Sequence, residues 1–272
     1  MFARSPMRGL LCLFEEVRDI VWPLTNRKCR RAGREGHREG RSSMDKTEVH
    51  AKIQEIGILP GVRTSSAAEA RFAAESVAQA GIPIVEITMT VPGAIDVISN
   101  LAKNLPEVIV GAGTVLDLET AELCLKAGAK FLTSPGLDLE IVQFARKENV
   151  LMMAGALTPT EVIAAWKAGS DFVKIFPCAQ VGGDSYIKAL KGPFPRVPLI
   201  AAGGVNQQTA SAFILAGAAA LGIGGELIPR AAIELRQPER IRELARRFLN
   251  LVKMARLQMS QWQAPSRVHA RS

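Results

Sequence analysis

From residue 58 to 251 the chain repeats one unit: a short apolar run, a turn rich in Gly, Pro, Ser and Thr, then a longer stretch with apolar positions every three to four residues. A short apolar run bounded by turn residues reads as a strand, and the longer periodic stretch reads as an amphipathic helix. The strand candidates are 58–62, 84–88, 108–112, 131–133, 151–154, 172–175, 199–201 and 220–222. Helices such as 67–80, 120–127, 160–168 and 207–216 lie between them. These four end in Ala-Gly, at Gly81, Gly128, Gly169 and Gly217, where glycine leaves a helix through the left-handed region at no steric cost. Eight apolar strands alternating with helices call for a parallel sheet covered on both faces, and eight is the number that closes a barrel. The prediction is an α/β fold, a (β/α)8 TIM barrel. An open doubly wound sheet is the alternative, but no GxGxxG follows the first strand.

The ends break this rhythm. Residues 1–43 hold ten Lys/Arg against five Asp/Glu, and "RKCRRAGREGHREGRSS" has too little apolar content to pack. Before it, "LLCLFEEVRDIVW" has the pattern of a short amphipathic helix, and Glu15 and Glu16 interrupt its apolar run too early for a signal peptide. Met44 stands where a compact domain would begin. Residues 252–272 add four Lys/Arg and no acid, which leaves 44–251 with 20 basic and 21 acidic residues. The reading is therefore a basic N-terminal extension (1–43), a single barrel domain (44–251) and a basic C-terminal tail (252–272). The net charge of +8 belongs to the two ends, so it is weak support for nucleic-acid binding. Cys12, Cys29, Cys124 and Cys178 form no CxxC pair or regular framework, which fits a reducing cytoplasm. The apolar stretch 209–225 is too short and Gly-rich for a membrane span and reads as a helix packed on a strand.

In a barrel, chemistry sits where the strands end and the βα loops begin. Strand parity puts Ile84, Glu86 and Thr88 on one face, and Phe172, Lys174 and Phe176 on another. "GAGTVLD" brings Thr114 to the mouth, "TSPGLD" brings Pro135, and Gly203-Gly204 and Gly224-Gly225 follow the last two strands. The histidines are His37, His50 and His269, all outside the strand region, which argues against a His-based triad or a His-ligated metal at the mouth. A lysine amid apolar side chains can act as a neutral nucleophile and form a Schiff base with a carbonyl. A carboxyl facing it from another strand can carry the protons that carbon–carbon cleavage requires. The alternatives are a snorkelling or ion-paired strand lysine and a structural glutamate. The glycine pairs suit an anion such as phosphate, held by backbone N–H groups at a helix start, although Glu226 directly after the second pair would oppose one if it pointed inward.

Taken together, "VEITMTVPGA", "VGAGTVLD", "TSPGLD", "AGALTPTE", "DFVKIFP", "GPFP" and "AAGGVN" resemble the 2-keto-3-deoxy-6-phosphogluconate aldolases, which also act on 4-hydroxy-2-oxoglutarate. The resemblance runs from about residue 50 to 235. It implies a class I pyruvate aldolase without a metal or other cofactor, acting on a small 2-keto acid and assembled as a homotrimer. It makes Lys174 the Schiff-base residue and Glu86 the proton carrier, and puts Thr114, Phe176 and Pro135 around the pyruvyl group. Many members carry an arginine where this chain has Thr90; others have threonine there and an arginine after the first strand, which Arg63 matches. Arg63 is thus expected to clamp the substrate carboxylate with two parallel hydrogen bonds. Two departures fall on the distal part of the site: Ala202 replaces a common threonine, and Glu226 a frequent serine. Other readings are the same chemistry on 4-hydroxy-2-oxoglutarate or the galactonate epimer, a phosphate-binding barrel with different chemistry, and a silent protein that binds nucleic acid or an acidic partner through its basic N-terminus.

Overall fold

The computed structural model describes residues 44–263. The expected N-terminal extension, its amphipathic helix and the last nine residues of the expected tail lie outside this range. The strands are β1 (Ile58–Val62), β2 (Ile84–Thr88), β3 (Ile109–Gly113), β4 (Phe131–Thr133), β5 (Leu151–Ala156), β6 (Phe172–Ile175), β7 (Leu199–Ala202) and β8 (Ala220–Ile223). They pair in parallel and in chain order, and β8 pairs back onto β1 to close the ring. The fold is a (β/α)8 barrel. Four strands begin or end one or two residues from the sequence expectation, because the ladders continue to the first glycine or turn of the exit loop.

The register fixes which side chains point inward. Glu86 pairs with Gly61 and with Gly111, Lys174 with Gly155 and with Ile200, and Ala202 with Gly222. Side chains alternate along a strand, so one set can be followed around the whole ring. Its lower members are bulky, including Leu59, Ile84, Ile109, Phe131, Met153, Phe172 and Ile200, and all are buried. Its upper members are mainly Gly61, Gly111, Gly113, Gly155, Ala202 and Gly222, interrupted by Glu86, Thr88, Thr133 and Lys174. The barrel is filled at the bottom and hollowed at the top.

The helices that matter for the site are α1 (Lys46–Ile56), α2 (Ala67–Gln79), α7 (Asp184–Lys191), α8 (Ala210–Leu215), α9 (Arg230–Glu234) and α10 (Pro238–Gln263); α3–α6 are Ala94–Asn104, Leu118–Lys126, Leu139–Lys147 and Pro159–Ala168. Helix α1 opens with a capping box in which Glu48 N donates to Asp45 Oδ1 (2.8 Å) and Asp45 N to Glu48 Oε2 (2.8 Å). It buries Val49 and Ile53 and stacks His50 on Phe172, ring centroids 4.5 Å apart, which covers the lower end of the barrel. The expected helix at 207–216 is shorter, because Asn206 Oδ1 accepts from Gln208 N (2.9 Å) and Thr209 N (3.0 Å) and holds those residues in a turn.

The expected boundary at residue 251 falls inside α10, which continues to Gln263. Val252 and Ala255 are buried, and Arg256 donates to the carbonyls of Gln54, Glu55 and Ala219. These are the unpaired carbonyls at the end of α1 and before β8, so the segment read as tail is fastened to the bottom of the barrel. Among the described residues no helix is long and apolar enough to cross a membrane.

Candidate active site

Strands β2 and β6 stand four places apart in a ring of eight, so their inward side chains meet across the barrel axis. Lys174 Nζ lies 3.7 Å from Glu86 Oε1, with both side chains largely buried. It donates to Thr133 Oγ1 (3.4 Å) and stands 5.8 Å from the centre of the Phe176 ring. The amine thus has a carboxylate on one wall, a hydroxyl on another and an aromatic face above. It is ion-paired, as the structural alternative required, yet the pair is buried at the end of the barrel where the small residues leave room.

The loops that follow β3 and β4 are pressed onto this pair. A Cβ at Gly113 would come within 2.1 Å of Glu86 Oε1, so only glycine lets the carboxylate lie flat against β3. Thr114, the next residue, is half-buried with φ 58°, a strained conformation for a β-branched residue that turns the chain over the site. Gly155 plays the same part on the other side. A Cβ there would sit 2.2 Å from the Pro135 carbonyl carbon, so the "TSPG" turn rests on bare backbone beside Lys174. Ser134 Oγ secures that turn by donating to Gly136 O (2.6 Å). Pro135 is half-buried at this rim.

Arg63 lies one residue beyond β1 at the same end of the barrel, exposed, and makes no ion pair among the described residues. It does not touch the Lys174–Glu86 pair. Its strand end is fixed by β2: Thr88 Oγ1 donates to Val62 O (3.1 Å) and shares a hydrogen bond with Thr90 Oγ1 (2.7 Å). Thr90 is therefore engaged in tying two strand ends together.

The glycine pairs do not open helices, contrary to expectation: α8 starts at Ala210 and α9 at Arg230, several residues downstream. Gly203 and Gly204 have φ of 82° and 84° and pack against the loop that follows β6, where a Cβ on Gly204 would meet Ala179 Cβ at 2.2 Å. The amides of Gly204 and Gly225 donate to no acceptor among the described residues. Glu226 is exposed, and with Gln207, Gly225, Arg240, Glu243 and Arg247 it borders a groove of about 390 Å³.

Neither cysteine among the described residues is a candidate nucleophile. Burial pushes the Cys178 thiol up to about 11 and the Cys124 thiol up to about 12, so both stay protonated near neutrality. Among the described residues no cluster of three His, Cys, Asp or Glu side chains could hold a metal ion. What the sequence reading missed is Thr133. It shares the parity of Phe131 and Pro135, so the alternation along "FLTSP" already aimed it inward.

Residues 49–244 match the family described as KDPG and KHG aldolase, after 2-keto-3-deoxy-6-phosphogluconate (KDPG) and 4-hydroxy-2-oxoglutarate (KHG). A 2-dehydro-3-deoxy-phosphogluconate aldolase from Pseudomonas aeruginosa is 30% identical over 202 residues, 74% of this chain and 91% of the relative. A KHG/KDPG aldolase from Escherichia coli K12 is 30% identical over 210 residues, 77% of this chain and 98% of the relative. Among solved structures, KDPG aldolase from Legionella pneumophila, with pyruvate captured as a covalent carbinolamine intermediate, superposes with a TM-score of 0.68 at 28% identity, covering 72% of this chain and 96% of that one.

Proposed function

The chain belongs to the KDPG and KHG aldolase family, and from that membership we propose that it cleaves 2-keto-3-deoxy-6-phosphogluconate to pyruvate and glyceraldehyde 3-phosphate. It is an aldolase, a carbon–carbon lyase, and the chemistry is class I. Lys174 attacks the keto carbon, water leaves, and a protonated imine forms. Glu86 takes the proton of the C4 hydroxyl, the C3–C4 bond breaks, and the aldehyde departs with the electrons of that bond held as an enamine. Glu86 then returns a proton to C3, and water releases pyruvate. The observation that carries the reading is the buried pair: an amine and a carboxylate from opposite strands, 3.7 Å apart.

Around them, Thr114, Phe176 and Pro135 border the pyruvyl group, and Arg63 clamps the carboxylate from the rim. The free amides of Gly204 and Gly225 favour an anion at the distal end, so the two glycine pairs, Gly203-Gly204 and Gly224-Gly225, receive the phosphate. A second reading has a specific observation behind it. The exposed Glu226 and the methyl of Ala202 remove two groups that relatives offer at that end, which suits the shorter 4-hydroxy-2-oxoglutarate or the galactonate epimer. The enzyme acts as a homotrimer in the cytoplasm; the first rests on the family resemblance, the second on free, buried Cys124 and Cys178.

Pyruvate with borohydride should reduce the imine to a stable adduct on Lys174, read by peptide mass spectrometry; an adduct on another residue, or none, overturns the mechanism. A panel of the three keto acids then ranks the substrates by kcat/KM, and a preference for the unphosphorylated acid would overturn the phosphate assignment.

A further inference from the structure

We propose that Thr133 is a positioning residue: its hydroxyl takes one N–H of the Lys174 amine and so turns the nitrogen lone pair toward the open mouth. The proposal rests on Lys174 being the nucleophile.

Thr133 ends β4 and is fully buried. A buried hydroxyl without a partner costs free energy, and among the described residues Lys174 Nζ is the one hydrogen-bond partner of Thr133 Oγ1. The contact is made over a gap. Strand β5 lies between β4 and β6, where Thr133 pairs with Met153 and Lys174 with Gly155. Gly155 has no side chain, so the hydroxyl and the amine approach each other over it. Gly155 N also donates to Ser134 Oγ (3.5 Å), which ties the residue after Thr133 to the strand beside Lys174.

A neutral amine has two N–H bonds and one lone pair, and only the lone pair can form the new C–N bond. Glu86 Oε1 stands 3.7 Å from the nitrogen on one side and Thr133 Oγ1 3.4 Å on the other. With one N–H held by the hydroxyl and the other drawn by charge toward the carboxylate, the lone pair is left facing the space where a carbonyl carbon enters. At 3.4 Å the hydroxyl contact is long; catalytic hydrogen bonds often tighten only when substrate is bound. Thr133 touches no reacting carbon and carries no proton in the scheme. Its contribution is the orientation of the amine.

The test follows pyruvate adduct formation on Lys174, trapped with borohydride at short times, in wild type, Thr133→Val and Thr133→Ser, together with kcat, KM and melting temperature. Valine keeps the shape and loses the acceptor. The adduct should form on the order of tenfold more slowly, kcat should fall in step, and KM should stay within about twofold. Serine keeps the acceptor and should recover the rate to within about threefold. If the valine variant does not fold, Thr133→Ala removes the same hydroxyl and should show the same fall. Trapping at the wild-type rate without the hydroxyl overturns the proposal, as does serine falling as far as valine, which would mean that packing alone matters. A wild-type enzyme that forms no adduct on Lys174 removes the nucleophile instead, so the two failures are told apart.

Discussion

Two lysine–carboxylate pairs flank β6, one at each end of the barrel, and they are built differently. Below the strand, Lys46 Nζ meets Asp171 Oδ1 at 2.9 Å, while Asp171 Oδ2 accepts Met152 N at 2.8 Å. Both carboxylate oxygens are used, and the pair ties α1 to the lower ends of β5 and β6. At the upper end, Lys174 and Glu86 stand 3.7 Å apart, beyond hydrogen-bond range, among glycines that leave space around them. A short, saturated pair holds a structure together. In the proposed mechanism, a loose pair in a roomy mouth keeps bonding capacity in reserve for a substrate. The same residue types therefore do different work according to distance and surroundings.

The sharpest way to break this comparison is to remove the upper lysine. Lys174→Met should lower kcat by at least about 10⁴-fold, because among the described residues no other amine is paired with Glu86 to form the imine. The circular dichroism spectrum should be unchanged, and cleavage above about a tenth of the wild-type rate would mean that the pair is structural after all. Glu86→Gln is the next largest. It should slow deuterium exchange into the pyruvate methyl by roughly 10²–10⁴-fold while borohydride still traps the adduct, since amine and proton carrier act at different steps. Unchanged exchange would take Glu86 out of the proton path.

How legible the molecule was follows the same division. The strands could be read because both faces of a parallel sheet are covered, so each is an apolar run that turn residues punctuate. Glu86 and Lys174 stood out because a charge inside such a run needs a reason. Thr133 did not, because threonine is ordinary in strands and its inward parity alone marks no chemistry. Gly113 and Gly155 fall just past the expected strand ends; that each makes room for a neighbour depends on the register, which no single strand reveals. The lower end was the least readable. The last turns of α10 bury only an occasional residue, such as Val252 and Ala255, so their sequence resembles a solvated tail, and two of the three carbonyls that Arg256 caps are some 200 residues away in the chain. Local pattern carries little of a contact made over that distance.

The lower pair supplies the mildest and most discriminating change. Asp171→Ala removes the partner of Lys46 and the acceptor of Met152 N at once, leaving a cation without its counter-charge and a backbone donor unpaired. The Lys46 side chain is partly reached by solvent and Met152 is buried, so the cost should be about 2–3 kcal/mol, a fall in melting temperature of roughly 5–10 °C. Activity at 25 °C should remain within about twofold of wild type, since Asp171 precedes β6 at the end opposite the mouth and the strand keeps its ladder to β5 and β7. Melting curves and kcat measured side by side decide the matter. Should Asp171→Ala lose activity while keeping its melting temperature, the two ends of β6 would not be doing separate jobs.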